Sequence, residues 1–187
     1  MARRLLRRLG LEPVTLRVDL TQVGGSALTD RSIPVPRFSP SRLTPPATYV
    51  PFRNGVFLAI AAAWAEARGV RDLACGFHVL DSPEYPDTRR EFVRAMERAI
   101  NLGTAAAAFG GAGARLRIHA PFIDMTKADI IRAGLRLGAD YSYSVSCYAG
   151  CEIPCGVCSS CRLRARGWKE AGGEDQLLAR LRKEGRI

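Results

Sequence analysis

Residues 54–79 read NGVFLAIAAAWAEARGVRDLACGFHV, a helix, a glycine stop and a strand in succession. Phe57, Ile60, Ala61 and Trp64 make one stripe at helical spacing, and the other face is also rich in Ala, Leu and Val. A helix apolar on most sides is expected to be buried on most sides. Gly69 ends it, and Leu73 to Val79 follows with the apolar composition of a strand. Beyond the turn-rich residues 81–87, Thr88 and Glu91 have capping-box spacing for a helix with core face Phe92, Met96, Ala99 and Ile100. A strand from Leu116 to Ala120 leads past Pro121 to a second capping box, Thr126 with Asp129, opening a helix through Leu137. Toward the N-terminus, Val14 to Leu20 alternates apolar and polar residues like a strand with one buried face, and residues 2–9 have Leu5, Leu6 and Leu9 at helical spacing before Gly10. Between Gly24 and Pro51 six prolines interrupt any regular element, so this stretch is expected to be a functional loop or lid. Strands alternating with helices predict an α/β fold, a parallel sheet flanked by helices. In such sheets ligands bind outside the carboxyl ends of the strands, so the segments after Leu20, Val79 and Ala120 should face one crevice.

The chain has 187 residues, 47% hydrophobic and 25% charged, which excludes disorder for most of it and points to one domain with an appendage. Its longest apolar stretch, Val56 to Ala65, is far short of the ~20 residues that cross a bilayer. No membrane span is expected, and with no secretory signal the cytoplasm is the expected location. The net charge of +10 would ordinarily suggest nucleic acid as a partner. Only Lys127, Lys169 and Lys183 are lysines, however, and the wealth of Arg, Ala and Gly reads as a bias of base composition. Nucleic acid is therefore not the expected partner, and the arginines from Arg162 to Arg186 read as a solvated helix face.

Five of the six cysteines fall between Cys147 and Cys161, a density that in a cytosolic chain points to metal rather than disulfides. Cys147, Cys155, Cys158 and Cys161, spaced C-x7-C-x2-C-x2-C, suit a tetrahedral Zn²⁺ with four thiolates, and Pro154 and Gly156 suit the turn between them. Arg162, Arg164 and Arg166 on the following helix could offset the resulting charge. A rival reading takes Cys151, Cys155 and Cys158 as a C-x3-C-x2-C iron–sulfur run. Four protein ligands would leave zinc no open position, so its role would be structural, one ion per chain. Cys75 reads as a small core residue.

Taken in order, these segments resemble the 7-cyano-7-deazaguanine synthases of queuosine biosynthesis, in the N-type ATP pyrophosphatase superfamily. The resemblance runs from residues 24–30 through residues 49–54, Asp81 with residues 85–87, residues 101–104 and residues 121–127, to Ser146-Cys147-Tyr148 and the four-cysteine set. It implies an adenine nucleotide alpha hydrolase-like fold with a C-terminal helical zinc-binding lobe. It also implies a reaction in which ATP activates 7-carboxy-7-deazaguanine and ammonia supplies the nitrogen of the nitrile. The substrate is expected at Asp81, Tyr85 and Asp87, and the nucleotide near Arg53 and Asn54. Tyr85 suits stacking on a deazapurine, and Asp87 suits accepting from its N–H groups, with core packing by Tyr85 and capping of the following helix by Asp87 as the plainer roles. Omitting Cys151 reproduces the family's ligand pattern.

The departures are equally specific. The Ser-Gly-Gly-x-Asp-Ser loop that holds ATP phosphates in the family is absent, whether through a late start codon, a split gene or a decayed paralogue. The fold is therefore expected to be incomplete at its N-terminus, with residues 1–22 poorly anchored and activity dependent on a phosphate-binding half from elsewhere. Phe52 stands where the family has Gly, Pro83 and Glu84 where it has Ser and Gly, Thr88 for Cys and Val145 for Trp. The expected domains are residues 1–140, a partial nucleotide- and substrate-binding α/β domain, and residues 141–187, the zinc lobe. Expected partners are the deazapurine, ATP and ammonia, with a homodimer or a separate N-terminal half. Two rivals are a non-catalytic zinc-stabilised binding module and another ATP-dependent nucleobase or tRNA modification enzyme on the same fold.

Overall fold

In the computed structural model, which describes residues 2–37, 45–81 and 83–187, the chain forms an α/β unit and a helical cysteine-bearing unit. The α/β unit takes residues 45–46 and 50–125; the other takes residues 2–37, 47–49 and 126–187. This grouping falls elsewhere than at residue 140, because the helix that begins after Thr126 packs on the one that follows the cysteines.

Within the α/β unit the helix expected from residue 54 forms as α2, Arg53–Glu66. Its buried stripe is Leu58, Ala62 and Ala65 rather than Phe57, Ile60, Ala61 and Trp64, and Phe57 is exposed. A helix apolar on every face has no periodicity to orient it, so its neighbours select the face that is buried. Strand β1, Asp72–Ala74, pairs in parallel with β2, Arg117–His119, in the register Asp72↔Arg117, Leu73↔Ile118 and Ala74↔His119. Both strands are shorter than their apolar runs. The ladder is flanked by the Arg117 N–H donating to the Arg71 carbonyl at 2.8 Å and the Cys75 N–H donating to the His119 carbonyl at 2.9 Å, and Pro121 has no N–H with which to continue β2.

Between the strands lie α3, Arg90–Gly103, and the short α4, Ala105–Phe109. Val93 and Ile100 of α3 join Leu58, Ala62, Ala65, Leu116 and Ile118 in one core, with Phe92 and Met96 packed against it, while Ala99 is exposed. Polar side chains of α3 also pin β2. Asn101 donates to the Leu116 carbonyl at 2.8 Å and accepts from the Leu116 N–H at 2.9 Å, and Glu97 accepts from the Ile118 N–H at 2.6 Å. The expected capping box at Thr88 and Glu91 does not form. Arg89 is the N-cap residue, and the Thr88 hydroxyl instead donates to the Tyr85 carbonyl at 2.7 Å.

The other unit contains α1, Ala2–Arg8; α5, Lys127–Arg136; α6, Ser159–Ala171; and α7, Gln176–Lys183. Here the capping box at Thr126 and Asp129 is complete, each side chain accepting from the other's backbone N–H. Helices α5 and α6 meet at Gly167, where an added Cβ would lie 2.8 Å from the Lys127 Cβ and 3.3 Å from the Ile131 Cδ1. Trp168 is buried against the edge of Tyr141, with ring centroids 5.5 Å apart, and Leu177 and Leu181 are fully buried.

Residues 14–20 form no strand, and Val14 and Leu16 are more than half exposed. Alternation specifies which face of a strand would be buried, but a sheet must be present to receive it, and no partner strand lies beside this segment among the described residues. Residues 38–44, part of the expected lid, and Ser82 lie outside the described residues. The flanks of the 24–51 segment are firmly joined. Buried Ser26 donates to the Ala47 carbonyl at 3.2 Å, and the Ala27 N–H donates to the same oxygen at 2.7 Å. No helix of the described residues is long and apolar enough to cross a membrane.

Candidate functional site

The cysteine lobe is built at the entrance to α6. Cys158 is the N-cap residue of that helix and Cys161 lies in its first turn, while Cys147 and Cys155 come from the preceding irregular segment. The Sγ atoms of Cys147, Cys155, Cys158 and Cys161 all lie within 4.8 Å of one another, and Cys155 and Cys161 are 3.9 Å apart. A tetrahedral ion with sulfurs at about 2.3 Å places those sulfurs about 3.8 Å from each other, so this set can close on one metal ion. Gly156 takes φ 72°, a conformation open to glycine, and turns the chain so that the Cys158 N–H points at the Cys155 Sγ at 3.4 Å. The Cys155 N–H points likewise at the Cys147 Sγ at 3.4 Å.

These backbone donors favour thiolate. The N–H groups of Val157 and Cys158 pull the Cys155 thiol down to about 6, whereas burial pushes Cys161 up to about 12. The exposed Cys151 is directed elsewhere, its Sγ donating to the Ala149 carbonyl at 3.6 Å. Two of the three α6 arginines expected to balance the charge are engaged with carboxylates. Arg164 is held by Asp175 and Arg166 by Glu170, which leaves Arg162 as the one of the three without an ion pair among the described residues. Nor are all the C-terminal arginines solvated. Arg164 and Arg180 have side chains only 11% exposed; Arg180 reaches Glu152 and Glu184 and lies 4.4 Å above the Tyr143 ring.

In the α/β unit, the candidate substrate residues occupy the turn that follows β1. His78, buried, approaches Asp81 at 3.3 Å, and Tyr85 donates its backbone N–H to the Asp81 carbonyl at 2.9 Å. Asp87 is 3% exposed, and its Oδ2 accepts from the Asn54 N–H at 3.0 Å. It thus caps α2, not the helix behind it, and places a carboxylate at the positive end of the α2 dipole. Its Oδ1 is buried with no protein partner, as is Nε of the adjacent Arg53, whose Nη2 donates to the Asn54 Oδ1 at 3.3 Å. A buried carboxylate oxygen without a donor is costly, so Asp87 retains an unused acceptor at this position.

The structure thereby brings Arg53, Asn54 and Asp87 together and sets Asp81 and Tyr85 on one turn. His78 was missed by the sequence reading; its place at the end of an apolar run, just before the turn, was the available signal. Phe52, immediately before α2, is the one non-glycine residue with positive φ among the described residues, at φ 52°. Its ring packs edge-on against Phe92 at 5.9 Å.

A parallel α/β unit and a lobe whose four cysteines could hold one metal ion fit a nucleotide alpha hydrolase-like protein. Comparison with known proteins makes the assignment specific. A family model described as "Queuosine biosynthesis protein QueC" matches residues 1–172, and the chain belongs to the QueC family. It is similar to the 7-cyano-7-deazaguanine synthase of Methylococcus capsulatus, 49% identical over 93% of this chain and 77% of that protein. The synthases of Dechloromonas aromatica and Cupriavidus pinatubonensis are 48% and 51% identical, over 96% and 84% of this chain and 79% and 69% of theirs.

Proposed function

We propose that this chain acts in the ATP-dependent conversion of 7-carboxy-7-deazaguanine and ammonia to 7-cyano-7-deazaguanine, as a ligase forming a C–N bond. The observation that carries this reading is its similarity, at 48–51% identity, to relatives that bear that synthase's name. The orphan Asp87 carboxylate oxygen supports it, since an acceptor without a partner suits the ring and amino N–H groups of a deazaguanine. Tyr85 would stack on the bicyclic ring, and Asp81 would complete the polar edge of the turn. Arg53, with Asn54 at the start of α2, would attract the nucleotide phosphates.

The substrate carboxylate attacks the α-phosphorus of ATP and pyrophosphate leaves, giving an acyl adenylate. Ammonia displaces AMP to form the amide. A second ATP activates the amide oxygen, and its departure with loss of two N–H protons gives the nitrile. The chain's task is to hold the carboxylate, the nucleotide and ammonia in register and to exclude water from the adenylate. These 187 residues contain no Ser-Gly-Gly-x-Asp-Ser segment to cradle the phosphates. We therefore expect little turnover from them alone and full turnover when a phosphate-binding half that carries such a loop is supplied.

A bound Zn²⁺ would fix the four cysteines as a structural knot with no open position for chemistry. Its coordination energy would become folding energy of the lobe, since the thiolates are dispersed in the unfolded chain.

The test is equilibrium binding of 7-carboxy-7-deazaguanine to the parent and to Asp87→Asn. Loss of a hydrogen bond to a charged group, about 1.5–3 kcal/mol, predicts binding weakened by about tenfold to a hundredfold. Equal affinity in the two proteins, or no affinity in either, would overturn the reading.

A further inference from the structure

The start of the parallel sheet opens on a second feature. At the N-terminal ends of β1 and β2, opposite the turn that holds Asp81 and Asp87, lies a recess of about 740 Å³. Arg94 and Arg98, one turn apart on α3, form one wall, and Arg115 and Arg117, flanking Leu116, form another. Arg71 closes the floor by donating to the Gly113 carbonyl.

The side chains of Arg94, Arg98, Arg115 and Arg117 make no ion pair or hydrogen bond among the described residues, unlike those of Arg164, Arg166, Arg180 and Arg182, which all hold carboxylates. The two acids that line the recess are already engaged: Glu97 accepts the Ile118 N–H at 2.6 Å, and Asp72 contacts His119 at 2.7 Å. Like charges one turn apart destabilise a helix, and a concave surface concentrates their field. An anion relieves both effects.

We propose that this recess binds a short polyphosphate. Guanidinium forks match phosphoryl oxygens in paired hydrogen bonds, and several forks around one recess suit several adjacent phosphoryl groups better than a single carboxylate. Among the described residues no aromatic ring lines it, so they offer no platform for a base to stack on. The recognised group is therefore the phosphate chain itself, whether inorganic or the tail of a nucleotide.

Titration calorimetry of the 187-residue chain with inorganic tripolyphosphate at low salt tests this. Arg94→Glu/Arg98→Glu should weaken binding by at least about tenfold, and binding to the parent should weaken steeply with added salt. The equally charge-reversed control Arg17→Glu/Arg31→Glu, at exposed residues, should change it by less than about twofold if site geometry rather than net charge is read. Circular dichroism checks that each variant is folded, and Arg115→Gln/Arg117→Gln carries the test should the α3 pair not fold. ATP should compete and adenosine should not if the phosphate tail is the recognised part; failure of pyrophosphate and ATP alike to compete would overturn the proposal. So would equal weakening in the control variant, absence of saturable tripolyphosphate binding, or an oligouridylate that binds and is not displaced by tripolyphosphate.

Discussion

Replacing Asp175 by Ala should be among the most damaging single changes to the cysteine-bearing unit. Both oxygens of this carboxylate are used: Oδ2 accepts from the Arg164 Nε at 2.5 Å, and Oδ1 accepts from the Arg164 Nη2 at 2.7 Å and from the Leu177 N–H at 3.0 Å. The two side chains are only 7% and 11% exposed. Breaking such a pair leaves a charge stranded in a poor solvent, a cost of about 3–5 kcal/mol. The Leu177 bond is an N-cap for α7, worth about 1 kcal/mol. Arg164 keeps its bonds to Ser144 and a little water, which lowers the first figure, so the net loss should be about 3–4 kcal/mol. Asp175→Asn keeps a cap acceptor and much of the shape and should lose about 1–2 kcal/mol. Arg164→Met/Asp175→Asn, which removes both charges and keeps the cap, should recover most of what Asp175→Ala loses. Urea unfolding followed by Trp168 fluorescence, in a Trp64→Phe background so that one indole reports one unit, measures each value. An Asp175→Ala loss below about 1 kcal/mol, or a double variant no more stable than Asp175→Ala, would refute the reasoning.

At position 52 the ordinary order of stability should reverse. Because left-handed backbone costs a side-chain-bearing residue roughly 1–2 kcal/mol, Phe52→Gly should be more stable than Phe52→Ala by about 1 kcal/mol in denaturant titrations, both having lost the Phe92 contact. Asp129 is lowered from 3.8 to about 2 by the Thr126 hydroxyl and Arg132, so its contribution to stability is present above pH 4 and vanishes as pH falls toward 2. The difference in Tm between the parent and Asp129→Asn should shrink to nothing across that interval; a constant difference would contradict it. Metal analysis of purified protein should find one zinc per chain, retained by Cys151→Ser and lost by Cys158→Ser, and iron in place of zinc would show the ligand chemistry to be different.

Much of this molecule is legible in its sequence, and the parts that are not share a cause. The Thr126 and Asp129 pairing forms as its spacing predicts because both partners lie within one turn and need nothing from the rest of the fold. The same spacing at Thr88 fails because the Tyr85 carbonyl offers that hydroxyl a nearer partner and α3 starts after Arg89. The four cysteines converge as their spacing implies, since two-residue gaps leave few other ways to turn. What the sequence leaves open is set by long-range partners: which side of an all-apolar α2 is buried, whether residues 14–20 meet a sheet, and that Asp87 reaches across 33 positions to Asn54. Asn101 is a further case, visible as part of a family motif but explained by its two bonds to Leu116 on the edge of β2.

The double hydrogen bond from Ser26 and Ala27 onto the Ala47 carbonyl has a consequence for how this chain tolerates change in length. Because the two flanks are fastened at that single oxygen, the fastening closes a ring of chain and does not itself depend on that ring's length. The entropy of closing such a ring grows only with the logarithm of its size, so doubling it costs about 0.6 kcal/mol. Insertions and deletions between residues 30 and 46 should thus be far cheaper than a single substitution of Ser26, whose hydroxyl serves as both donor to Ala47 and acceptor from the Leu28 N–H.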